Sequence, residues 1–479
     1  MSTLVAITGG RVLTMDPERR ILEPGTVLIE DDQIMAVGPA AEVTVPAGAE
    51  VIDATGMAVL PGLVNVHTHV PQILLRGGAS HDRDLYDWLV NVLYPGLNAY
   101  SGDDLRAAVT LYCVEAVRSG MTTIVANEDV GFHDYDAAAK PSIEAYEAAG
   151  VRVCYARMFS DRASPRMGEL VESLMEKEPD VHHVGTMEST EYCLAELEGL
   201  FRRYHGRSNG RVQIWPAPAN PTVLTPKAVH ASRAMAEQWD VMWTVHINES
   251  PYENRSQMVP LFEWLNNIGA LDARLLAAHC VDVSPRDIRL MRKYDVKVAH
   301  QAVSNGYLAS GVAPIPAMIQ AGITVGLGTD DANCNESVNL IADMKAMAIM
   351  HRAMSQDAGI LTAEKIVEAA TIDAARAIGM ADRIGSLEVG KQADVITVDL
   401  RTPQTTPAHD LCSTLVYQAY GTEVDTVLVD GRVIMRGREL AFLPSTDMAA
   451  FCADASERSA RILQASGLRG TRPWTTIGG

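Results

Sequence analysis

Positive charge, aromatic rings and paired cysteines are what this sequence has least of. Its 40 lysines and arginines face 60 aspartates and glutamates, a formal net charge of −20. Nucleic-acid binding rests largely on Lys and Arg neutralising phosphates, so this balance disfavours a nucleic-acid partner and leaves a soluble acidic surface. Aromatic residues make up only 5%. The 7 cysteines (Cys113, Cys154, Cys193, Cys280, Cys334, Cys412 and Cys452) are odd in number, scattered and without a C-x-x-C pair. Neither a disulfide framework nor a zinc finger is indicated, and a reducing cytoplasm fits. No apolar run approaches a membrane span, and the opening MSTLVAITGG lacks the charged and apolar regions of a targeting segment. No membrane partner is expected.

What is present is a globular composition, 47% hydrophobic and 21% charged over 479 residues. That length exceeds a usual domain, but α/β barrels run long as one unit, so one large domain with a smaller one is expected. Near the start, Leu4 to Met15, Thr26 to Glu30 and Gln33 to Gly38 are alternating runs separated by Pro17, Pro24-Gly25 and Asp31-Asp32. The same texture returns in Ala393 to Val398 and in Val424 to Met435 around Asp430-Gly431. These read as antiparallel strands with turns. The two ends predict a small composite β-sandwich over 1–58 and 391–443, followed by a C-terminal helix and tail over 444–479.

Between them, 59–390 alternates apolar runs with helical spacers such as Asp103 to Ser119, Pro226 to Glu237 and Ser284 to Lys293. The runs are Ala58 to His69, Thr122 to Glu128, Val151 to Met158, Val212 to Ala219, Val241 to Ile247, Leu275 to Cys280, Val296 to Val303 and Thr324 to Asp330. Eight such runs predict an α/β fold, a (β/α)8 TIM-like barrel. Met344, Met347, Met350 and Met354 have the spacing of a barrel helix's apolar stripe rather than of a metal-binding methionine box. His81, in a polar turn, and Asp180, His182 and His183, in a polar connector, read as solvent-facing.

The polar residues at the ends of these runs carry the chemistry. Residues two apart in a strand share a face, so His67 and His69, closing the run from Leu60, project to the same side. The fifth run ends near His246, the sixth near His279 and the eighth in Asp330. Barrel chemistry sits at the C-terminal ends of strands, so these five side chains converge on one mouth. His67, His69, His246 and Asp330 offer nitrogen and carboxylate ligands suited to one divalent metal, Zn²⁺ or Fe²⁺, with an open position for water. Metal-activated water needs an electron-poor carbon, and an aromatic heterocycle bearing an exchangeable substituent supplies one.

This H-x-H, with His, His and Asp at strands five, six and eight, resembles the amidohydrolase superfamily over nearly the whole chain, including the segment from Gly385 to Asp394. Many members bridge two metals with a carboxylated lysine at the end of strand four. Val212 to Ala219 has no lysine, so the resemblance implies the mononuclear, deaminase-type subgroup. It makes Glu249, in His246-Ile247-Asn248-Glu249, a proton carrier. His279 would orient the water, and Asp330 would both touch the metal and accept a proton. Related enzymes are often homo-oligomers, which implies at least a dimer.

Gln72 to Pro95 follows the first strand and is expected to form a lid, with Gln72 and Trp88 able to contact a planar ring and Arg76 able to serve as an ion-pair residue. Arg76-Gly77 followed by Trp88-Leu89 resembles two branches, the chloro- and amino-s-triazine hydrolases and the S-adenosylhomocysteine or methylthioadenosine deaminases. The segment from His246 to Asn254 and the opening Ile7 to Arg20 look closer to the triazine branch. After the metal aspartate, Asp331 and Cys334 match its amine-releasing members, whereas chloride-releasing members carry Asn and Ser. The resemblance implies hydrolytic displacement of amino or chloro groups from an s-triazine, and the alternative is a purine or pteridine deaminase.

Overall fold

The computed structural model describes residues 3–78, 83–129, 134–162, 188–256 and 258–468. His81, Asp180, His182, His183 and the tail beyond 468 lie outside the described residues. The alternating N-terminal runs form β1 (Leu4–Leu13), β2 (Ile21–Glu30) and β3 (Gln33–Pro39), paired antiparallel, with β4 (Glu50–Asp53) and β5 (Met57–Pro61) running parallel to β1.

The apolar run from Ala58 to His69 is not one strand. It breaks at Gly62, so that β5 stays in the N-terminal sheet while β6 (Leu63–Thr68) enters the barrel. Packing dictates the break: a Cβ at Gly62 would lie 2.2 Å from the Thr122 hydroxyl oxygen and methyl carbon. Only glycine lets the chain cross that side chain and change sheets.

The barrel continues with β7 (Met121–Glu128), β8 (Arg152–Phe159), β9 (Val212–Pro218), β10 (Trp243–Ile247), β11 (Leu275–His279), β12 (Lys297–His300) and β13 (Val325–Leu327). Strands β6 to β9 and β10 to β13 pair in parallel. One seam between the two halves carries a hydrogen bond from the His246 N–H to the Ala219 carbonyl (3.1 Å), the other one from the Asp330 N–H to the His67 carbonyl (3.0 Å). Gly328 makes the second seam possible, since a Cβ there would lie 2.9 Å from the His67 carbonyl oxygen. The last two strands are shorter than the apolar runs containing them. Beyond His300 the chain turns into the helix Ala302–Tyr307, and beyond Leu327 an irregular stretch carries Asp330.

After the barrel, β14 (Val395–Asp399) pairs antiparallel with β5 and leads on to β15 (Val424–Val429), β16 (Arg432–Arg436) and β17 (Glu439–Leu440). Both chain ends thus share one nine-stranded sheet, closed over its own apolar core of residues such as Ile7, Val27, Ile29, Ile34, Val395 and Leu428. The barrel helices carry local start signals. Ser101 and Ser284 form capping boxes with Asp104 and Asp287, and Thr225 caps Pro226–Gln238. In the helix Leu340–Ser355 the methionine stripe is buried only at Met344 and Met347, and Met354 is exposed. The C-terminal helix Ser445–Ala465 docks on the barrel through Arg458 and Arg461, both paired with Asp104. Among the described residues no helix is long and apolar enough to cross a membrane.

Candidate metal centre and active site

The site lies at the C-terminal ends of the barrel strands. His67 is the penultimate residue of β6 and His69 follows it; His246 lies in β10, His279 ends β11, and Asp330 comes just after β13. Five residues from four stretches of chain therefore meet within one mouth, as a parallel barrel requires. His69 stacks on His246 at an interplanar angle of 21° and His246 on His279 at 28°, while His67 stands edge-on to all three. His67, His69 and Asp330 form one group whose potential ligand atoms lie within 4.8 Å of one another, and His67, His246 and His279 form another. The structure thus sets His279 as near this centre as His246.

Hydrogen bonds outside the centre decide which ring nitrogen faces inward. His69 Nδ1 lies 2.7 Å from the Asn127 carbonyl oxygen and His246 Nδ1 lies 3.0 Å from that of Ala219. A carbonyl only accepts, so both rings carry their proton on Nδ1 and turn an Nε2 lone pair to the centre. His279 Nδ1 does the same with Asn305 Oδ1 at 3.0 Å. The Asn127 side-chain amide nitrogen lies 2.9 Å from His67 Nδ1 and donates to it. Burial first, then the neighbouring imidazoles, hold His67 and His246 well below the usual histidine range, and burial lowers His69 against the pull of Asp330. Neutral rings are what a metal needs.

Two buried nitrogens, His67 Nε2 and His279 Nε2, have no hydrogen-bond partner among the described residues. Leaving such atoms unmade is costly, and a cation among them offsets that cost. Asp330 Oδ1 lies 3.6 Å from His67 Nε2 and 3.7 Å from His69 Nε2, while Oδ2 accepts from Ser304 Oγ at 2.7 Å. Three oriented imidazoles with a fixed carboxylate fit a divalent ion of zinc type. His279 and Asp330 adopt left-handed backbone, with φ of 71° and 61°, a conformation disfavoured for both residue types that aims their side chains inward.

Glu249 follows β10 and reaches His279, with its Oε2 3.6 Å from Nε2. Burial, then repulsion from Asp330, Glu253 and Asp331, pushes its carboxyl well above the ordinary value. Asp331 is pushed up to about 7, by burial and then by Asp330. Asp331 Oδ2 accepts from the Cys334 thiol at 2.7 Å, and Cys334 Sγ lies 2.9 Å from Ser304 Oγ. The Gln72 amide donates to both Asp331 oxygens at 3.2 and 3.3 Å. Gln72, Asp331, Cys334, Ser304 and Asp330 therefore form one network. Trp88, buried in the lid, joins it through Asn333: its Nε1 donates to Asn333 Oδ1 at 3.0 Å, and the Asn333 N–H donates to Asp331 Oδ1 at 2.7 Å. Arg76 pairs with Glu115 at 2.7 Å and anchors the lid away from this network.

Sequence reasoning missed Asn127, Ser304, Asn305, Glu253 and the T-shaped pair of Tyr86 and Tyr252. Asn127 carried a usable signal, being polar near the end of an apolar strand. Ser304 and Asn305 carried none, since they fall just beyond the run Val296 to Val303, whose last two residues open their helix.

A model of the amidohydrolase family matches residues 58–434. S-triazine hydrolase of Gordonia rubripertincta is 44% identical over 99% of this chain and 100% of its own length. A 5-methylthioadenosine/S-adenosylhomocysteine deaminase of Desulforudis audaxviator is 35% identical over 87% of this chain and 90% of its own. The crystal structure of atrazine chlorohydrolase TrzN from Arthrobacter aurescens TC1 complexed with zinc is similar with a TM-score of 0.85 at 25% identity, covering 95% of this chain and 100% of that one.

Proposed function

The chain belongs to the amidohydrolase family and is a hydrolytic enzyme, and from that premise we propose that it displaces amino or chloro substituents from an s-triazine ring using one bound zinc ion. The observation that carries the reading is the buried Glu249 carboxyl facing His279 Nε2 at 3.6 Å beside the His67, His69 and Asp330 group, in a chain similar over its full length to an s-triazine hydrolase.

His67, His69, His246 and Asp330 would hold the ion. Bound there, zinc supplies a Lewis acid that lowers the pKa of water to about 7. His279, its Nδ1 proton committed to Asn305, offers Nε2 as the acceptor that orients the attacking water. Asp330 accepts a proton from that water, and Ser304 steadies its carboxylate. Glu249, kept protonated by burial, delivers a proton to the ring nitrogen beside the attacked carbon, which discharges that nitrogen as the tetrahedral adduct forms. Ammonia leaves only after protonation, for which Asp330 holds the proton taken from the water, and chloride does not; Asp331 and Cys334, assigned to the leaving substituent, favour amine release. Gln72 and Trp88 are assigned to the planar ring.

Metal-replete enzyme incubated with melamine, an amino-chloro-s-triazine and S-adenosylhomocysteine, with ammonia and chloride followed separately, tests the reading. Release from the triazines alone is expected, with ammonia exceeding chloride. Ammonia from the nucleoside alone would overturn it and move the chain to the nucleoside deaminases, the second reading, which the 35% identical relative favours. Elemental analysis separates zinc from iron. A cytoplasmic setting is supported by seven free cysteines, six of them buried, and assembly to at least a dimer is tested by sedimentation.

A further inference from the structure

Glu253 sits four residues beyond Glu249, and the catalytic steps above leave it without a role. It is buried, and its carboxylate is ringed by donors. Oε2 accepts the Asn248 N–H at 2.7 Å and the Asn220 side-chain amide at 3.1 Å. Oε1 accepts the Glu249 N–H at 3.0 Å and the Ser250 N–H at 3.2 Å. Three consecutive backbone N–H groups thus converge on one anion, an arrangement the chain reaches by turning Asn248 to a φ of 55°. Successive N–H groups aimed at one point form a concavity for an anion, and here the protein supplies that anion itself.

We infer that Glu253 is the positioning residue of the catalytic loop: its carboxylate fills the backbone nest of Asn248, Glu249 and Ser250 and so fixes the direction from which the Glu249 side chain approaches His279 Nε2. The inference rests on the proposed role of Glu249. The strand ends at Ile247; just beyond it the Asn248 carbonyl accepts from the Val281 and Asp282 N–H groups at 2.8 and 2.9 Å, and the Glu253 carboxylate holds the N–H side of the same turn, which carries the proton donor. The Asn254 side-chain amide, donating to the Asp282 carbonyl at 2.9 Å, anchors the helix from which Glu253 reaches back. A displacement of about 1 Å at a reacting group costs on the order of 100-fold in rate.

The test uses full-length, metal-loaded Glu253→Gln, whose side chain keeps the volume but turns an N–H₂ group towards two of the donors. The expected result is a fall in kcat on the order of 100-fold, with KM changed by less than about threefold, metal content as in the parent, and faster amide hydrogen exchange in the peptide spanning 246–256. A kcat within about threefold of the parent, or a loss fully accounted for by lost metal, overturns the inference. Asn220→Ala, which removes one donor to the same carboxylate, is the second variant should the first fail to fold. It is expected to lower kcat about tenfold at constant KM, and an unchanged kcat is equally fatal. Glu249→Gln run alongside separates the two claims. If it is inactive while Glu253→Gln turns over normally, only the positioning role fails; if it turns over normally, the proton role of Glu249 fails and the positioning role with it.

Discussion

Replacing Arg152 with methionine should destabilise the protein more than almost any other single change and leave its chemistry alone. Arg152 begins β8 and is fully buried. Its Nε and Nη2 donate to Asp394 at 3.3 and 3.2 Å, and Nη2 also reaches Asp430 at 2.5 Å. Arg211 Nη1 meets the other Asp430 oxygen at 3.2 Å. Two guanidinium groups and two carboxylates make a balanced cluster between the barrel and the strands built from the chain's ends. Methionine keeps most of the stem volume but removes the cation, so two buried carboxylates are left sharing Arg211. Breaking one partner of a buried pair costs about 3–5 kcal/mol, because the remaining charge has neither water nor counter-ion. The assay is urea unfolding of the parent, Arg152→Met, Asp394→Asn and the double variant. The double variant should lose less than the sum of the singles, with a coupling above about 1 kcal/mol. The cluster lies at the N-terminal ends of the strands, where barrels build stability rather than catalysis, so kcat should stay within about twofold. A loss below about 1 kcal/mol for Arg152→Met, or additivity within about 0.5 kcal/mol, would refute the reasoning.

Three further outcomes are expected. Burial alone would raise Asp104, but hydrogen bonds from Arg461, Ser101 and Arg458 outweigh it and hold the carboxyl at about 2 against an ordinary 3.8. A depressed carboxyl stabilises the fold above its unfolded value, so about 1–2 kcal/mol of stability, discounted for the partly exposed arginines and shared between C-terminal helix docking and the Ser101 cap, is present above pH 3.8 and lost as pH falls through 2. Proteolysis of that helix by an acid protease across this window checks it, and Asp104→Asn should reproduce the loosening at neutral pH. Asn305→Leu removes the acceptor that sets the His279 tautomer and should cut kcat about 10–100-fold, with the stability midpoint as the control for simple misfolding. Gly62→Ala forces a Cβ into Thr122 and should cost about 1–3 kcal/mol, and Thr122→Ala in the same chain should recover most of it; absence of recovery would show that the contact is not the cause.

The amino-acid sequence alone was enough for what depends on chain-local pattern. Alternation marked both sets of end strands, eight apolar runs marked the barrel, and the period of two put His67 and His69 on one side. Even the convergence of His246, His279 and Asp330 was legible, because a parallel barrel carries every strand's C-terminal end to the same mouth. Resemblance, not pattern, singled out Glu249 and the Asp331 and Cys334 pair. Tertiary structure decided the rest, since those contacts join residues with no shared local signal. The run containing His67 divides at Gly62 because Thr122 occupies the space a side chain would need. The inward nitrogens of His69, His246 and His279 are chosen by Asn127, Ala219 and Asn305, from strands and a helix elsewhere in the chain. Asp394, which sequence showed only as the end of a familiar segment, acquires its partner Arg152 at a sequence separation of 242. Periodicity records which face of an element is buried; it cannot record which distant atom waits there, and at this site that atom settles the chemistry.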